Sequence, residues 1–159
     1  MSIFPTTILL ATDGSQEAEL AGRTAADVAE KTGSELHVVH VFGIAPLGPP
    51  VYPVATDFEG IEQGEPLLEE DLMRTTEQQA KETLEAEVEK VRSAGRDVAQ
   101  AHLREGRVAP EIVALAEDIG AGLIVIGSRG RGGIRRALMG SASDLVVRHA
   151  HCPVLVVRK

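Results

Sequence analysis

Four apolar residues, Leu123-Ile124-Val125-Ile126, run straight into Gly127-Ser128-Arg129-Gly130, and glycines recur at 132, 133 and 140 before Ser141-Ala142-Ser143-Asp144. This stretch restricts the fold most. A short β-branched run without polar alternation reads as a strand buried on both faces, which a parallel sheet covered by helices on both sides provides. The Ser141-x-x-Asp144 spacing ahead of Leu145-Val146-Val147 predicts a capping box with Ser141 as cap, opening a helix over 141–150. The order is strand, glycine loop, helix N-terminus. Glycines let backbone N–H groups approach an anion, and the first helical turn leaves its donors unpaired at the positive end of the dipole. Ser141 and Ser143 add hydroxyls there. Four arginines (Arg129, Arg131, Arg135, Arg136) lie in the loop, and no acidic residue occurs from Ile119 to Ser143.

The loop is not a Walker A loop, which ends in Gly-Lys-Ser/Thr, because it contains no lysine. Nor is it the dinucleotide fingerprint: starting at Gly130-x-Gly132, the third glycine falls on Arg135. The net charge of −8 is unevenly spread, with seven basic residues against one acidic in 119–159 and nine against 23 before that. An acidic body repels nucleic acid, whereas a local basic region on it suits a small polyanion. No apolar run approaches the roughly 20 residues that span a bilayer, so no membrane association is expected. The start, Met1-Ser2-Ile3-Phe4-Pro5, lacks the basic region of a signal peptide, and a lone Cys152 fits a reducing cytoplasm.

In chain order, Thr7–Thr12 is a first, central strand, apolar up to Asp13-Gly14-Ser15, a turn and helix-start cluster. Ala18, Ala21, Ala25, Val28 and Ala29 mark one face of a helix closed by Gly33. Leu36–Phe42 is a second strand. Five of the eight prolines fall in 43–66, predicting a long loop there. A long acidic helix over 67–94 turns Met73, Ala80, Leu84, Val88 and Val91 inward and ends at Gly95. Val98–Leu103 reads as an edge strand, Pro110 as the first turn of another helix, and 153–157 as the last strand. Alternating strands and helices predict one α/β domain over 1–159, a parallel sheet with helices on both faces. In such sheets ligands bind at the carboxyl ends of strands, where strand order reverses. Thr12-Asp13-Gly14-Ser15 and Gly127-Ser128-Arg129-Gly130 are two such ends.

Other constellations carry less. His37 and His40 are three apart in a strand and point to opposite faces, so one metal cannot take both. His149-Ala150-His151-Cys152 offers soft ligands but no evident fourth, and a helix C-terminus favours histidine anyway. Cys152 precedes a proline-led strand, away from the ligand end, which disfavours a catalytic thiol. The absence of Trp and a single Tyr disfavour a flavin carrier, and Thr-Asp-Gly replaces the Ser-Gly-Gly of a pyrophosphatase loop.

Gly127-x2-Gly130-x9-Gly140-Ser141, the opening strand ending in Thr-Asp-Gly-Ser and the closing Cys-Pro-Val-Leu-Val-Val resemble the universal stress protein family over essentially the whole chain. The resemblance implies a five-stranded parallel sheet of order 3-2-1-4-5, of the adenine nucleotide alpha hydrolase-like type, and a homodimer paired through the last strand, 153–158. It implies ATP, with Mg²⁺ reached through Asp13, as ligand in the subgroup that carries this glycine signature. By position, Asp13 would lie by the ribose or the metal-bridged phosphates, or cap the first helix. Val41 would meet adenine through its backbone, or be a plain core valine. Ala11 and Ile126 would flank the base. Gly127, Gly130, Gly140, Ser141 and Ser143 would hold phosphates and ribose, with Thr12, Ser128, Arg129 and Ala142 adjoining them. The implied role is a cytoplasmic, nucleotide-dependent signalling or stress-response module; the alternative is a slow ATPase or phosphotransferase. Against fast hydrolysis stands the lack of a His or Glu near the loop in sequence.

Overall fold

Alternation along the central strand divides the molecule. A computed structural model of the chain describes residues 2–43, 66–129 and 139–159, with side chains of the second segment described from residue 73 onward. Strand β1 (Thr7–Ala11) sends Ile8 and Leu10 to one face and Leu9 and Ala11 to the other. Strands β2 (Glu35–Phe42), β3 (Gln100–Glu105), β4 (Ala121–Gly127) and β5 (Val154–Val157) complete a single sheet of order β3-β2-β1-β4-β5, parallel throughout. The expected strand order and helices on both faces are observed.

Helices α1 (Gln16–Thr32) and α2 (Pro66–Ser93) cover the Ile8/Leu10 face, where Ala21, Ala25, Ala29, Leu84, Val88 and Val91 meet Leu36, Val38 and Val125. Helices α3 (Val108–Asp118) and α4 (Ser141–His149) cover the other face, burying Ile112, Leu115 and Val146 against Leu9, Val39, Ile124 and Ile126. Small residues on α1 bring it close to the sheet, and Gly33 ends it in the left-handed conformation at φ 67°. No helix among the described residues is long and apolar enough to cross a membrane.

Three local expectations are corrected. Met73, expected inward, is 40% exposed. At about 1.5 Å per residue the 28-residue α2 is far longer than strands of four to eight residues at about 3.3 Å, and among its described side chains, from Met73 onward, the first buried one is Ala80. The third strand lies two residues later than 98–103, because its pairing with β2 runs from His37↔Gln100 to Phe42↔Glu105. Val98 is buried just before the strand begins. The expected proline-rich loop falls almost entirely outside the described residues, as do Gly130, Arg131, Arg135 and Arg136.

Candidate nucleotide site where strand order reverses

The chain leaves β1 towards one face and β4 towards the other, so the carboxyl ends of these neighbours open a crevice between the first turns of α1 and α4. Ala11 and Ile126 are register partners across this boundary, and their side chains join Val41 in the cluster beneath α3 and α4. The three residues expected around a base therefore share one sheet face. The Val41 side chain is core, and its backbone lies next to the end of β2.

The end of β1 is tied to β2 at Thr12 and by local bonds after it. Thr12 N–H donates to the Val39 carbonyl at 2.9 Å, and Thr12 Oγ1 accepts from Gly14 N–H at 3.3 Å. Asp13 Oδ1 accepts from Ser15 N–H at 2.9 Å, and Ser15 Oγ accepts from Ala18 N–H at 3.2 Å. Ser15 is thus the cap of α1, and Asp13 braces the turn before it rather than capping the helix itself. His40 reaches in from β2, its Nδ1 donating to the Thr12 carbonyl at 2.7 Å. Glu87 of α2 is 2% exposed, and its carboxyl lies over Gly22 of α1. Burial raises its pKa above the ordinary 4.5. Lys90 opposes that shift most, and the negative charges of Glu19 and Asp13 add to it. Gly14, Thr83, Glu87 and Lys90 help line a cleft of about 390 Å³ beside this turn.

The end of β4 is tied by long-range bonds that converge on Ser128. Its N–H donates to the Val157 carbonyl of β5 at 2.8 Å. Its carbonyl accepts from Gly140 N–H at 2.6 Å and from Ser143 Oγ at 2.9 Å. Its hydroxyl donates to Glu17 Oε2 at 2.6 Å, and the same carboxylate oxygen accepts from Arg129 N–H at 2.8 Å. Two glycines permit this closure. A Cβ on Gly127 would sit 3.1 Å from the Glu17 carbonyl carbon, and one on Gly140 would sit 3.3 Å from the Ser128 carbonyl oxygen.

The cap of α4 is Gly140, not Ser141, and being glycine it has no side chain to cap the first-turn amides. Its carbonyl takes the first intrahelical bond, from Asp144 N–H at 3.0 Å, which moves the predicted capping box out of register and leaves Ser141 exposed as the first helical residue. Ser143 is 2% exposed, and its hydroxyl faces the carbonyls of Ser128 and Gly140. The hydroxyls of Ser128 and Ser143 therefore tie loop to helix. The first-turn amides of Ser141, Ala142 and Ser143 have no intrahelical acceptor by construction and lie at the positive end of α4.

Sequence reasoning missed Glu17, Glu87 and His40. No Glu lies near the loop in sequence, and the fold brings Glu17 onto it across 111 residues. A signal existed for Glu87, which falls on the Ala80, Leu84, Val91 stripe at helical spacing. Away from the crevice, His151 pairs with Glu117 at 2.6 Å, and burial pushes the Cys152 thiol up. Among the described residues no group of three or more His, Cys, Asp or Glu is arranged to hold a metal ion.

Known proteins share this fold. A universal stress protein of Thermus aquaticus is 38% identical over 152 residues, 96% of this chain and 98% of its own length. The Lactobacillus plantarum universal stress protein UspA shares the fold at a TM-score of 0.74 and 23% identity, covering 98% of this chain and 99% of that one. A universal stress protein from Archaeoglobus fulgidus, solved in complex with dAMP, superposes at a TM-score of 0.60 with 28% identity, over 98% of this chain and 99% of its own. The profile of the Universal stress protein family spans residues 5–158, and the chain belongs to that family.

Proposed function

We propose that the chain binds an adenine nucleotide, ATP with Mg²⁺ in the cell, and acts as a nucleotide-dependent stress-response module in the cytoplasm. The observation that carries this reading is the α4 N-terminus, free of any capping side chain and held against the Gly127-Ser128-Arg129 turn by Gly140. Amides there, with Arg129 and Gly130, would take phosphate. Ala11, Ile126 and the Val41 backbone would frame the base, and Thr12 and Asp13 the ribose side. Asp13 supplies one carboxylate for Mg²⁺, which takes its remaining ligands from phosphates and water. The dAMP complex of the Archaeoglobus fulgidus relative supports an adenine ligand for this family member. A homodimer through β5 belongs to the same reading: β5 is an edge strand, and all four of its residues are half-buried in the isolated chain.

Titration calorimetry on the full chain tests the site. Gly140→Val is expected to weaken ATP binding by at least about tenfold while the chain still melts cooperatively, because its side chain crowds Ser128 and narrows the amide cradle. Unchanged affinity in a folded variant would remove the site assignment. The alternative, a slow ATPase or phosphotransferase, gains ground if steady-state turnover reaches about 1 s⁻¹ and Asp13→Ala abolishes it.

A further inference from the structure

We infer that Glu17 is a resident anion of the phosphate loop, and that its charge lowers the affinity for ATP, without abolishing it, more than that for nucleotides with shorter phosphate chains; the inference rests on the nucleotide reading above. Glu17 belongs to α1, on the opposite side of the sheet from α4, yet its side chain crosses the reversal point to the β4 loop. One oxygen, Oε2, accepts from Ser128 Oγ at 2.6 Å and from Arg129 N–H at 2.8 Å. Both are charge-assisted contacts. Arg129 N–H, a loop amide assigned to phosphate in that reading, already has a carboxylate acceptor.

The packing fixes Glu17 in place. Gly127 gives it room, since a Cβ there would press on the Glu17 carbonyl carbon, carbonyl oxygen and Cβ. The Ser128 it holds is 3% exposed and bonded through its carbonyl to Gly140, the cap of α4. The carboxylate is thus one residue away from the helix end that would hold phosphate. A second anion placed there loses one amide donor and is repelled by a partly buried charge. That repulsion grows with each phosphate charge and acts in a medium less polar than water. Asp13, in the turn that leads from β1 into α1, is a second acid at the start of α1, whereas the loop sequence is basic.

Glu17→Gln separates charge from geometry, because the amide oxygen still accepts from Ser128 and Arg129. Calorimetry on the full chain with adenosine, AMP and ATP, at low and high salt, reads the effect. Glu17→Gln is expected to tighten ATP by about tenfold at low salt and AMP by less, and to leave adenosine within about twofold. The ATP gain is expected to shrink at high salt. Equal changes for all three ligands, or weaker ATP binding by the variant, would overturn the inference while leaving the nucleotide reading intact. Failure of both proteins to bind any of the three at millimolar concentration would overturn the reading, and the inference with it.

Discussion

The ends of β1 and β4 are neighbours and face the same crevice, but they are built differently. The β1 end is anchored to β2 at Thr12, by Val39 and His40, and beyond that point its bonds are local: Thr12 with Gly14, Asp13 with Ser15 and Ser15 with Ala18 join residues two or three apart. The β4 end is held by others, from α1, from α4 and from β5, through bonds that meet at Ser128. A self-contained turn keeps its shape when its surroundings shift. A turn assembled from three distant elements reports on all of them. The difference makes the shape of the β4 side depend on α1, α4 and β5 together.

The largest effect should come from pressing on the assembled end. Gly127→Val pushes against the backbone of α1 and is expected to cost about 3 kcal/mol, as overpacking against an unyielding neighbour does. Chemical denaturation measures it, and a loss below about 1 kcal/mol would show that α1 can retreat and that the β4 end is less tightly assembled than described. Ser15→Ala, at the self-contained end, should cost about 1 kcal/mol, the value of a helix cap, and leave the bonds at Ser128 in place. A cost as large as that of Gly127→Val would erase the contrast.

The smallest effect is a pH dependence. Glu87 has a folded-state pKa above its ordinary 4.5, so folding favours its protonated form. The stability tied to that form is complete below about pH 4.5 and is lost as pH rises through the raised value. Glu87→Gln lacks this loss. Its melting temperature should match the wild type at pH 4 and exceed it at pH 7. A difference that is constant with pH would mean that Glu87 titrates normally.

Local chemistry was legible in the sequence and long-range chemistry was not. Apolar runs gave the strands, alanine spacing gave the buried face of α1, and the glycine spacing marked the loop. The family resemblance supplied the strand order. Register then set Ala11 beside Ile126, which no local pattern states. The contact of Glu17 with Ser128 joins residues far apart, and an acid in the first turn of a helix is ordinary enough to need no partner. Ser141 fits the capping pattern, yet the cap is Gly140. Which residue of Gly140 and Ser141 becomes the cap depends on the Ser128 carbonyl, which takes Gly140 N–H and fixes where the helix starts.

One bond at Ser128 has a consequence for local opening. Its N–H is held by Val157, the last residue of a four-residue edge strand. Edge strands fray from their ends at a fraction of the free energy of global unfolding. The Ser128 amide can therefore be protected from solvent exchange only as long as the tip of β5 stays closed. Anything that clamps the free edge of β5 slows exchange at the start of the loop, without touching the loop.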